Sequence, residues 1–326
     1  MNKVDISGID SWDIKFRPMF GKIIEELAEK NEDIVLVVAD SGRACRCDGF
    51  ERCPAQFVDC GIAEQNMTGV AAGLARSGKK PVTFAFAPFA SERCFEQVRL
   101  DIAYSGLKIV VVGSEGGVGM GTQGVTHFGW EDIAVMSSLP GMTVLCPADH
   151  VAMIRLLERA LEGDGPVYLR LNGGVPGRIY DEGAAFASGR SIVHREGTDV
   201  NFLVTGPLLA EALKASVQLE TEGISAGVVD MFSVKPIDEA LILRLAEKSR
   251  MLITIEEHSI VNGMGSMVAN VLAESGSGCR LVKLGLPDEY PHTVSPYKYM
   301  LQEYHLTKED FVAEARKVLK IRELVG

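Results

Sequence analysis

The sequence predicts an α/β protein built of two consecutive three-layer α/β domains, each with a mostly parallel sheet. Short, continuous apolar runs alternate along the chain with longer stretches in which apolar residues recur at helical spacing. Apolar runs that do not alternate with polar residues are typical of strands buried on both faces, and such strands form parallel sheets covered by helices. The length of 326 residues is enough for two ordinary domains.

The first series of elements spans the N-terminal half. Apolar residues at helical spacing predict a helix over Phe16–Asn31, and the apolar run Ile34–Ala39 predicts a strand. That strand ends at Asp40-Ser41-Gly42, and open α/β sheets bind ligands beyond the carboxyl ends of their strands. The same alternation predicts strands at Phe57–Asp59, Val82–Phe86, Lys108–Gly113, Thr143–Cys146 and Val167–Leu171, and helices at Ala63–Ser77, Ser91–Ser105 and His150–Glu162.

A glycine-rich segment from Asn172 to Gly189, which also contains Pro176, separates the first series from the second. We therefore expect a first domain at residues 1–180 and a second at residues 190–326. The second series is predicted as strands Asn201–Thr205, Ser225–Asp230, Met251–Glu256 and Cys279–Leu284, with helices Pro207–Glu222, Asp238–Ser249, Met264–Ser275 and Thr307–Leu319.

Composition excludes several classes of protein. Acidic residues outnumber basic ones 44 to 33, which argues against nucleic-acid binding and against an anionic membrane surface as partner. The N-terminus lacks the apolar core of a signal peptide, and the apolar runs are too short to span a bilayer. The 7 cysteines are irregularly spaced, so we expect a cytoplasmic protein without a disulfide framework.

The densest candidate site lies between residues 59 and 67, where a predicted strand ends, a glycine turns the chain and a helix begins. Glu64 stands in the first turn of that helix. A carboxylate there can simply complement the helix dipole, or it can carry chemistry. The residues alone leave both interpretations open.

Two further segments could complete a site. A glycine-rich loop, which runs from Ser114 and includes Glu115, is predicted after the strand Lys108–Gly113. It ends near His127, a residue able to act as acid, base or hydrogen-bond donor. Aromatic residues at Phe84, Phe86 and Phe89 lie at the end of the predicted strand Val82–Phe86 and just after it. They are either ordinary core residues or a slot for a flat heteroaromatic ring.

Two patterns resemble metal motifs but do not predict one. Gly163-Asp164-Gly165 lacks the asparagine that a diphosphate–metal motif carries about 25–30 residues on, so we interpret it as a loop before a strand. Cys45, Cys47, Cys53 and Cys60 lie close together but do not form paired zinc knuckles. We therefore expect no metal ligands in this chain.

Several segments, taken in order, resemble the C-terminal half of a transketolase, in particular the freestanding C-terminal subunit of split transketolases. The resemblance covers nearly the whole chain. It is carried by Gly61-Ile62-Ala63-Glu64-Gln65-Asn66-Met67, by Phe86-Ala87-Pro88-Phe89 with Arg93 and Glu96-Gln97-Val98-Arg99, by Thr126-His127, by Gly165-Pro166-Val167-Tyr168-Leu169-Arg170, and by Glu256-Glu257-His258-Ser259-Ile260.

The resemblance implies a pyrimidine-binding domain for thiamine diphosphate, followed by a transketolase C-terminal domain. It implies that Glu64 exchanges a proton with N1′ of the aminopyrimidine and that His127 lies near the reacting oxygens of the donor. The cofactor contacts that it implies are Asp40, Ile62, Glu64, Phe86 and Phe89. Mg²⁺ and the diphosphate would be held mainly by an N-terminal partner subunit with a Gly-Asp-Gly…Asn motif, and the pairs would assemble into a heterotetramer.

The sequence departs from the family pattern where the substrate binds. Glu115 replaces a histidine, Gln123 lies where the family has an acidic residue, and Asn172 is followed by glycine instead of a phosphate-binding arginine. Losing such cations should weaken phosphate recognition, unless Arg43 or Arg46 supplies the charge. We expect substrate contacts from Arg43, Glu115, Gln123 and His127, and a sugar other than a standard pentose phosphate.

The predicted function is therefore transfer of a two-carbon ketol unit from a ketose to an aldehyde. Two alternatives stay open at this point. One is a thiamine enzyme that uses an α-keto acid, similar to deoxyxylulose-phosphate synthase or to the beta subunit of a 2-oxo acid dehydrogenase. The other is a non-catalytic assembly subunit.

Overall fold

The computed structural model describes residue 4, residues 13–42, residues 47 and 50, and residues 52–323. Its first sheet has seven strands: β1 (Ile34–Val38), β2 (Phe57–Asp59), β3 (Lys80–Phe86), β4 (Val110–Gly116), β5 (Thr143–Leu145), β6 (Val167–Asn172) and, from later in the chain, β10 (Ser233–Lys235). Their spatial order is β10-β5-β6-β4-β3-β1-β2. All neighbours run parallel except β10 and β5.

The second sheet has five strands: β7 (Ile192–Arg195), β8 (Val200–Val204), β9 (Ala226–Asp230), β11 (Met251–Ser259) and β12 (Arg280–Leu286). Their spatial order is β12-β11-β8-β9-β7. The one antiparallel pair of this sheet in the described chain is the edge pair β7 and β9. The two mostly parallel sheets confirm the predicted fold class.

Helices cover the faces of both sheets. In the first half they are Phe16–Lys30, Glu64–Arg76, Asp132–Ser137 and His150–Glu162, with a mixed segment at 89–104 made of π-helical turns Phe89–Arg93 and Val98–Tyr104 around the short helix Phe95–Gln97. In the second half they are Leu208–Thr221, Glu239–Lys248, Met264–Glu274, Tyr297–Glu303 and Lys308–Glu323. None of the described helices is long and apolar enough to cross a membrane.

Strand pleating divides the core between the two faces of each sheet. In β1, Leu36 and Val38 pack into one cluster with the helices Phe16–Lys30 and His150–Glu162. Val37, which points the other way, packs into a second cluster with the helix Glu64–Arg76. Because both faces of the strand are buried, its sequence is continuously apolar.

The structure differs from the predicted elements in several respects, including β11, which extends to Ser259 beyond its predicted end at Glu256. Strand β4 extends three residues beyond its predicted end and includes Glu115, so this residue is part of the sheet edge and not of a loop. The predicted helix at 91–105 contains π-helical turns. The edge strands β7 and β10 were not predicted, because their short sequences lack a continuous apolar run. The short helices Asp132–Ser137 and Tyr297–Glu303 were also not predicted.

Asp149 joins the segment between the two sheets to the start of the helix His150–Glu162. Its carboxylate caps the helix His150–Glu162 by accepting from the Ala152 N–H, and it also accepts from the backbone N–H groups of Ile179 and Tyr180, each at 2.8 Å. The Tyr180 hydroxyl donates to Asp230 at the end of β9. The segment between the sheets is thus held at both of its sides by buried carboxylates.

We expect Asp149→Ala to lower the free energy of unfolding by about 2–4 kcal/mol, because one helix cap and two further N–H partners are lost. Asp149→Asn keeps one oxygen acceptor and should lose less. Urea titrations followed by circular dichroism measure both. A loss below about 0.5 kcal/mol for the alanine variant, the range of ordinary surface changes, would contradict this account.

Candidate active site

The candidate site lies at the carboxyl edge of the first sheet. Strands β3 and β4 run parallel, and Phe86 is paired in register with Ser114. The segment that follows β3 and the segment that follows β4 therefore leave the sheet side by side. In open α/β sheets this edge is where ligands bind.

Phe86, Phe89 and His127 form one aromatic cluster at this edge. The His127 ring centroid is 5.9 Å from that of Phe86 and 5.2 Å from that of Phe89, and the two phenyl rings are 6.1 Å apart. All three side chains are half-buried. Partly exposed rings that meet edge to face leave apolar surface on which another flat ring can pack.

Glu64 lies beside this cluster at the beginning of the helix Glu64–Arg76 and is 4% exposed. Arg93 Nη1 donates to both of its carboxylate oxygens, at 3.0 and 3.1 Å. The same guanidinium lies over the Phe89 ring, with Cζ 3.8 Å from the ring centroid. Arg93 thus covers the Glu64 carboxylate and the face of Phe89 together.

The helical turn Phe89–Arg93, which has the i→i+5 hydrogen bonds of a π-helix, explains how one side chain reaches both groups. Residues four apart in a helix lie one turn apart on the same face. Phe89 and Arg93 have this spacing and therefore stack. Arg93 belongs to a segment that carries the family resemblance, but nothing in that motif indicates this contact.

Glu115 lies next to the aromatic cluster with two basic residues facing it. Its side chain is 2% exposed, and its backbone has a φ of 55°. Lys15 Nζ and Arg17 Nε are each 3.7 Å from a Glu115 carboxylate oxygen, and Arg17 Cζ is 5.7 Å from the Phe86 ring centroid. Burial raises the pKa of Glu115, and the two cations oppose that increase.

Lys15 and Arg17 were not identified from the sequence. They stand at the start of the helix Phe16–Lys30, far in sequence from every motif of the site. Only the packing of that helix on the sheet brings them to Glu115. A motif search gives no signal for such contacts, because they depend on tertiary packing.

Three other predicted site residues are exposed to solvent. The Asp40 and Gln123 side chains are exposed, and Ile62 is 76% exposed. The backbone N–H of Asp40 donates to Asp59. Arg43 and Arg46, which were predicted as alternative sources of positive charge, fall outside the described residues.

The two rejected metal patterns can be located in part. Asp164 is exposed in a turn and forms an ion pair with Lys108. Cys53 and Cys60 are free thiols and Cys47 is buried, whereas Cys45 is outside the described residues. Within the described ranges, no group of three or more His, Cys, Asp or Glu side chains is arranged to hold a metal ion.

Glu92, next to Arg93 in the sequence, is a half-buried acid with other carboxylates nearby. Burial raises its pKa to about 8, and the nearby Asp132 and Glu131 carboxylates add to the increase. The folded protein therefore binds more protons than the unfolded chain between pH values near 4.5 and 8. Stability that Glu92 provides in acid must be lost as the pH rises through this range.

We expect Glu92→Gln to remove this part of the pH dependence. Relative to the wild type, the variant should gain free energy of unfolding as the pH rises from about 5 to about 9. Urea midpoints at both pH values measure the difference, and Glu96→Gln, an exposed change on the same helical segment, is the control. Equal pH profiles for wild type and Glu92→Gln would contradict the assignment.

Comparison with known proteins identifies the family. The family model of the transketolase pyrimidine-binding domain matches residues 13–174, and that of the transketolase C-terminal domain matches residues 189–310. The chain is 38% identical to the 6-deoxy-6-sulfo-D-fructose transketolase subunit SqwH of Clostridium sp. (strain MSTE9), over 93% of this chain and 94% of the relative. It is 36% identical to one of the subunits of the apulose-4-phosphate transketolase of Phocaeicola vulgatus, over 94% of this chain and 98% of the relative.

A solved structure described as a split gene transketolase, inactive beta4 tetramer, matches with a TM-score of 0.83 and 39% identity. The match covers 93% of this chain and 97% of the chain in that structure. The matches extend over nearly the full length of these separate subunits, which agrees with the fold and with the site described above. The chain therefore belongs to the transketolase family, as the C-terminal subunit of a split transketolase.

Proposed function

We propose that this subunit supplies the pyrimidine-binding half of a thiamine diphosphate site, and that with an N-terminal partner it transfers a two-carbon ketol unit from a ketose to an aldehyde. The observation that carries the proposal is the buried Glu64 carboxylate next to the partly exposed rings of Phe86 and Phe89. A carboxylate at the edge of an aromatic slot suits a flat ring with a protonated nitrogen.

The described residues fit the aminopyrimidine of thiamine diphosphate. Phe86 and Phe89 offer ring faces for stacking, and Glu64 offers two acceptor oxygens, both now bonded to the half-exposed Arg93. A ring nitrogen can replace this donor without leaving a buried carboxylate unpaired. Bound thiamine diphosphate would supply the electron sink for the cleaved two-carbon unit.

The chain's own residues then have separable tasks. Glu64 holds and exchanges the proton at the pyrimidine nitrogen, and its burial keeps water from competing for that bond. His127, whose Nδ1 lies 2.9 Å from the Thr126 hydroxyl, presents its other ring nitrogen to a donor oxygen. Arg93 moves away from the Phe89 face when a ring binds.

The remaining part of the site belongs to a partner in this proposal. We assign the diphosphate and Mg²⁺ to an N-terminal subunit with a Gly-Asp-Gly…Asn motif, and we expect two such pairs to form a heterotetramer. Support comes from the relatives, which are described as subunits, and from the solved relative, which is described as an inactive beta4 tetramer. The test is co-purification with such a partner, followed by a screen of phosphorylated and unphosphorylated ketoses. Release of CO₂ from pyruvate would instead favour the α-keto acid alternative.

The substrate is proposed to be a sugar other than a standard pentose phosphate. The relatives are named for 6-deoxy-6-sulfo-D-fructose and for apulose 4-phosphate. In this chain the cations of Lys15 and Arg17 already face the carboxylate of Glu115. Their charge is partly neutralised, and a phosphate that approached them would also meet Glu115.

We expect Glu64→Gln in the assembled complex to lower kcat by about 10²–10⁴-fold, because a glutamine cannot exchange the proton. Initial rates at saturating donor and cofactor measure the effect. Glu96→Gln, an exposed change elsewhere in the same domain, is the control and should keep full activity. Unchanged turnover in Glu64→Gln would favour a non-catalytic assembly role.

We expect Glu115→Gln to lower the KM for xylulose 5-phosphate by about tenfold, equivalent to about 1.4 kcal/mol, because a charge of the same sign as the phosphate is removed. The KM for an unphosphorylated ketose should change little and serves as the internal control. Wild-type activity on xylulose 5-phosphate as high as on any other donor would contradict the proposed substrate class.

A further inference from the structure

The loop at residues 117–130 carries His127 and is closed at its base by two backbone hydrogen bonds. The Gly117 N–H donates to the Gly129 carbonyl at 2.8 Å, and the Gly129 N–H donates back to the Gly117 carbonyl at 3.0 Å. The turn Val125–His127 lies between these two glycines in sequence. The position of His127 therefore depends on what holds the base of this loop.

The end of strand β11, in the second sheet, reaches both sides of that base. Glu257 Oε1 accepts from the Val118 N–H at 2.8 Å on the incoming side. On the outgoing side, the Ser259 N–H donates to the Trp130 carbonyl at 2.9 Å. Arg170 connects the two domains as well, since its Nη2 donates both to the Gly129 carbonyl and to the Glu257 carbonyl.

The Glu257 side chain is fixed in this position from several directions. It is 1% exposed, and its Oε2 accepts from Asn172 Nδ2 at 3.0 Å and from the Tyr297 hydroxyl at 2.7 Å. A Cβ at Gly117 would lie 2.3 Å from Glu257 Oε1, so only glycine allows the loop to approach the carboxylate this closely. Two carboxylate oxygens thus serve three donors, of which one is in the loop.

We propose that Glu257 is a positioning residue, through which the C-terminal domain holds the loop of His127 in place for the ketose donor. This inference rests on the proposed function, because it takes His127 as a group that faces the donor. It gives the second domain a part in the reaction, although none of the described residues of that domain lies in the aromatic cluster. Glu257 itself touches neither cofactor nor donor in this account.

The neighbouring residue Glu256 provides a matched control. It is equally buried, but its carboxylate accepts from the N–H groups of Met264 and Gly265, at the start of the helix Met264–Glu274. In either variant an amide NH₂ replaces one acceptor oxygen, and the donors that face that oxygen lose their acceptor. Only the change at Glu257 removes a contact with the loop.

The experiment compares Glu257→Gln and Glu256→Gln in the complex with the partner subunit. An amide has one acceptor oxygen, so it cannot serve the three donors of Glu257. We expect kcat/KM for the ketose donor to fall by about 10–100-fold in Glu257→Gln, because small displacements of a substrate-facing group have effects of this size. The dissociation constant of thiamine diphosphate should change much less than kcat/KM, because Glu64, Phe86 and Phe89 lie outside the loop, although the His127 ring contacts both phenyl rings.

Hydrogen–deuterium exchange gives a second measurement that needs no activity. In the chain alone, Glu257→Gln should speed exchange of the amides at 117–130, and Glu256→Gln should instead speed exchange at the start of the helix Met264–Glu274. Tyr297→Phe removes one anchor of the Glu257 carboxylate and keeps its charge. We expect Tyr297→Phe to lower kcat/KM and to speed exchange at 117–130, both less than Glu257→Gln does. It replaces Glu257→Gln in the experiment if that variant fails to fold.

Equal losses of kcat/KM in the two glutamine variants, or unchanged exchange at 117–130 in Glu257→Gln and Tyr297→Phe, would overturn the inference. These outcomes leave the proposed function intact as long as the wild-type complex transfers ketol units. A wild-type complex that does not act on any ketose overturns the proposed function and, with it, the catalytic part of this inference. The exchange measurement would then decide only whether Glu257 holds the loop.

Discussion

The buried ion pair between Arg170 and Asp132 is the constraint on which the arrangement of the site depends. Arg170 is 1% exposed and Asp132 is fully buried, and Nε and Oδ2 are 2.8 Å apart. Removing two charges from water costs several kcal/mol per ion unless every donor finds an acceptor. Arg170 meets much of this requirement, because its Nη2 also donates to the carbonyls of Gly129 and Glu257. Strand β6, the helix Asp132–Ser137, the loop of His127 and the second sheet are therefore held in one geometry by a single guanidinium.

Much of the fold could be predicted because it follows from burial on both faces of a strand. The apolar runs of β1 and β4 and the helix His150–Glu162 have sequence patterns that local rules recognise. Strand β10 could not be predicted in this way. Its three residues come from the second half of the chain and pair antiparallel with β5 of the first sheet. That pairing depends on how the two halves pack, which no local pattern encodes.

The candidate site, like the fold, has a part that local sequence patterns predict and a part that depends on tertiary packing. Glu64, His127, Phe86 and Phe89 follow sequence motifs, and the structure places the latter three in one cluster with Glu64 joined to it through Arg93. The contact of Arg93 with Glu64 and those of Arg17 and Lys15 with Glu115 could not be predicted, because each spans a long sequence separation and is set by side-chain packing. The prediction that Glu115 lies in a loop was wrong, because the sheet extends to include it. These tertiary contacts set which charged side chains face one another beside the aromatic cluster.

The central claim is that this chain forms one half of a catalytic site. The groups it brings together, a buried carboxylate and two partly exposed phenyl rings, suit a pyrimidine ring. The most direct measurement titrates the N-terminal partner with this subunit, at saturating thiamine diphosphate and Mg²⁺, and follows ketol transfer. The account predicts no turnover by either chain alone and a rate that rises until the two are equimolar. Turnover by this chain alone, or none at any ratio with a partner that co-purifies with it, would contradict the claim.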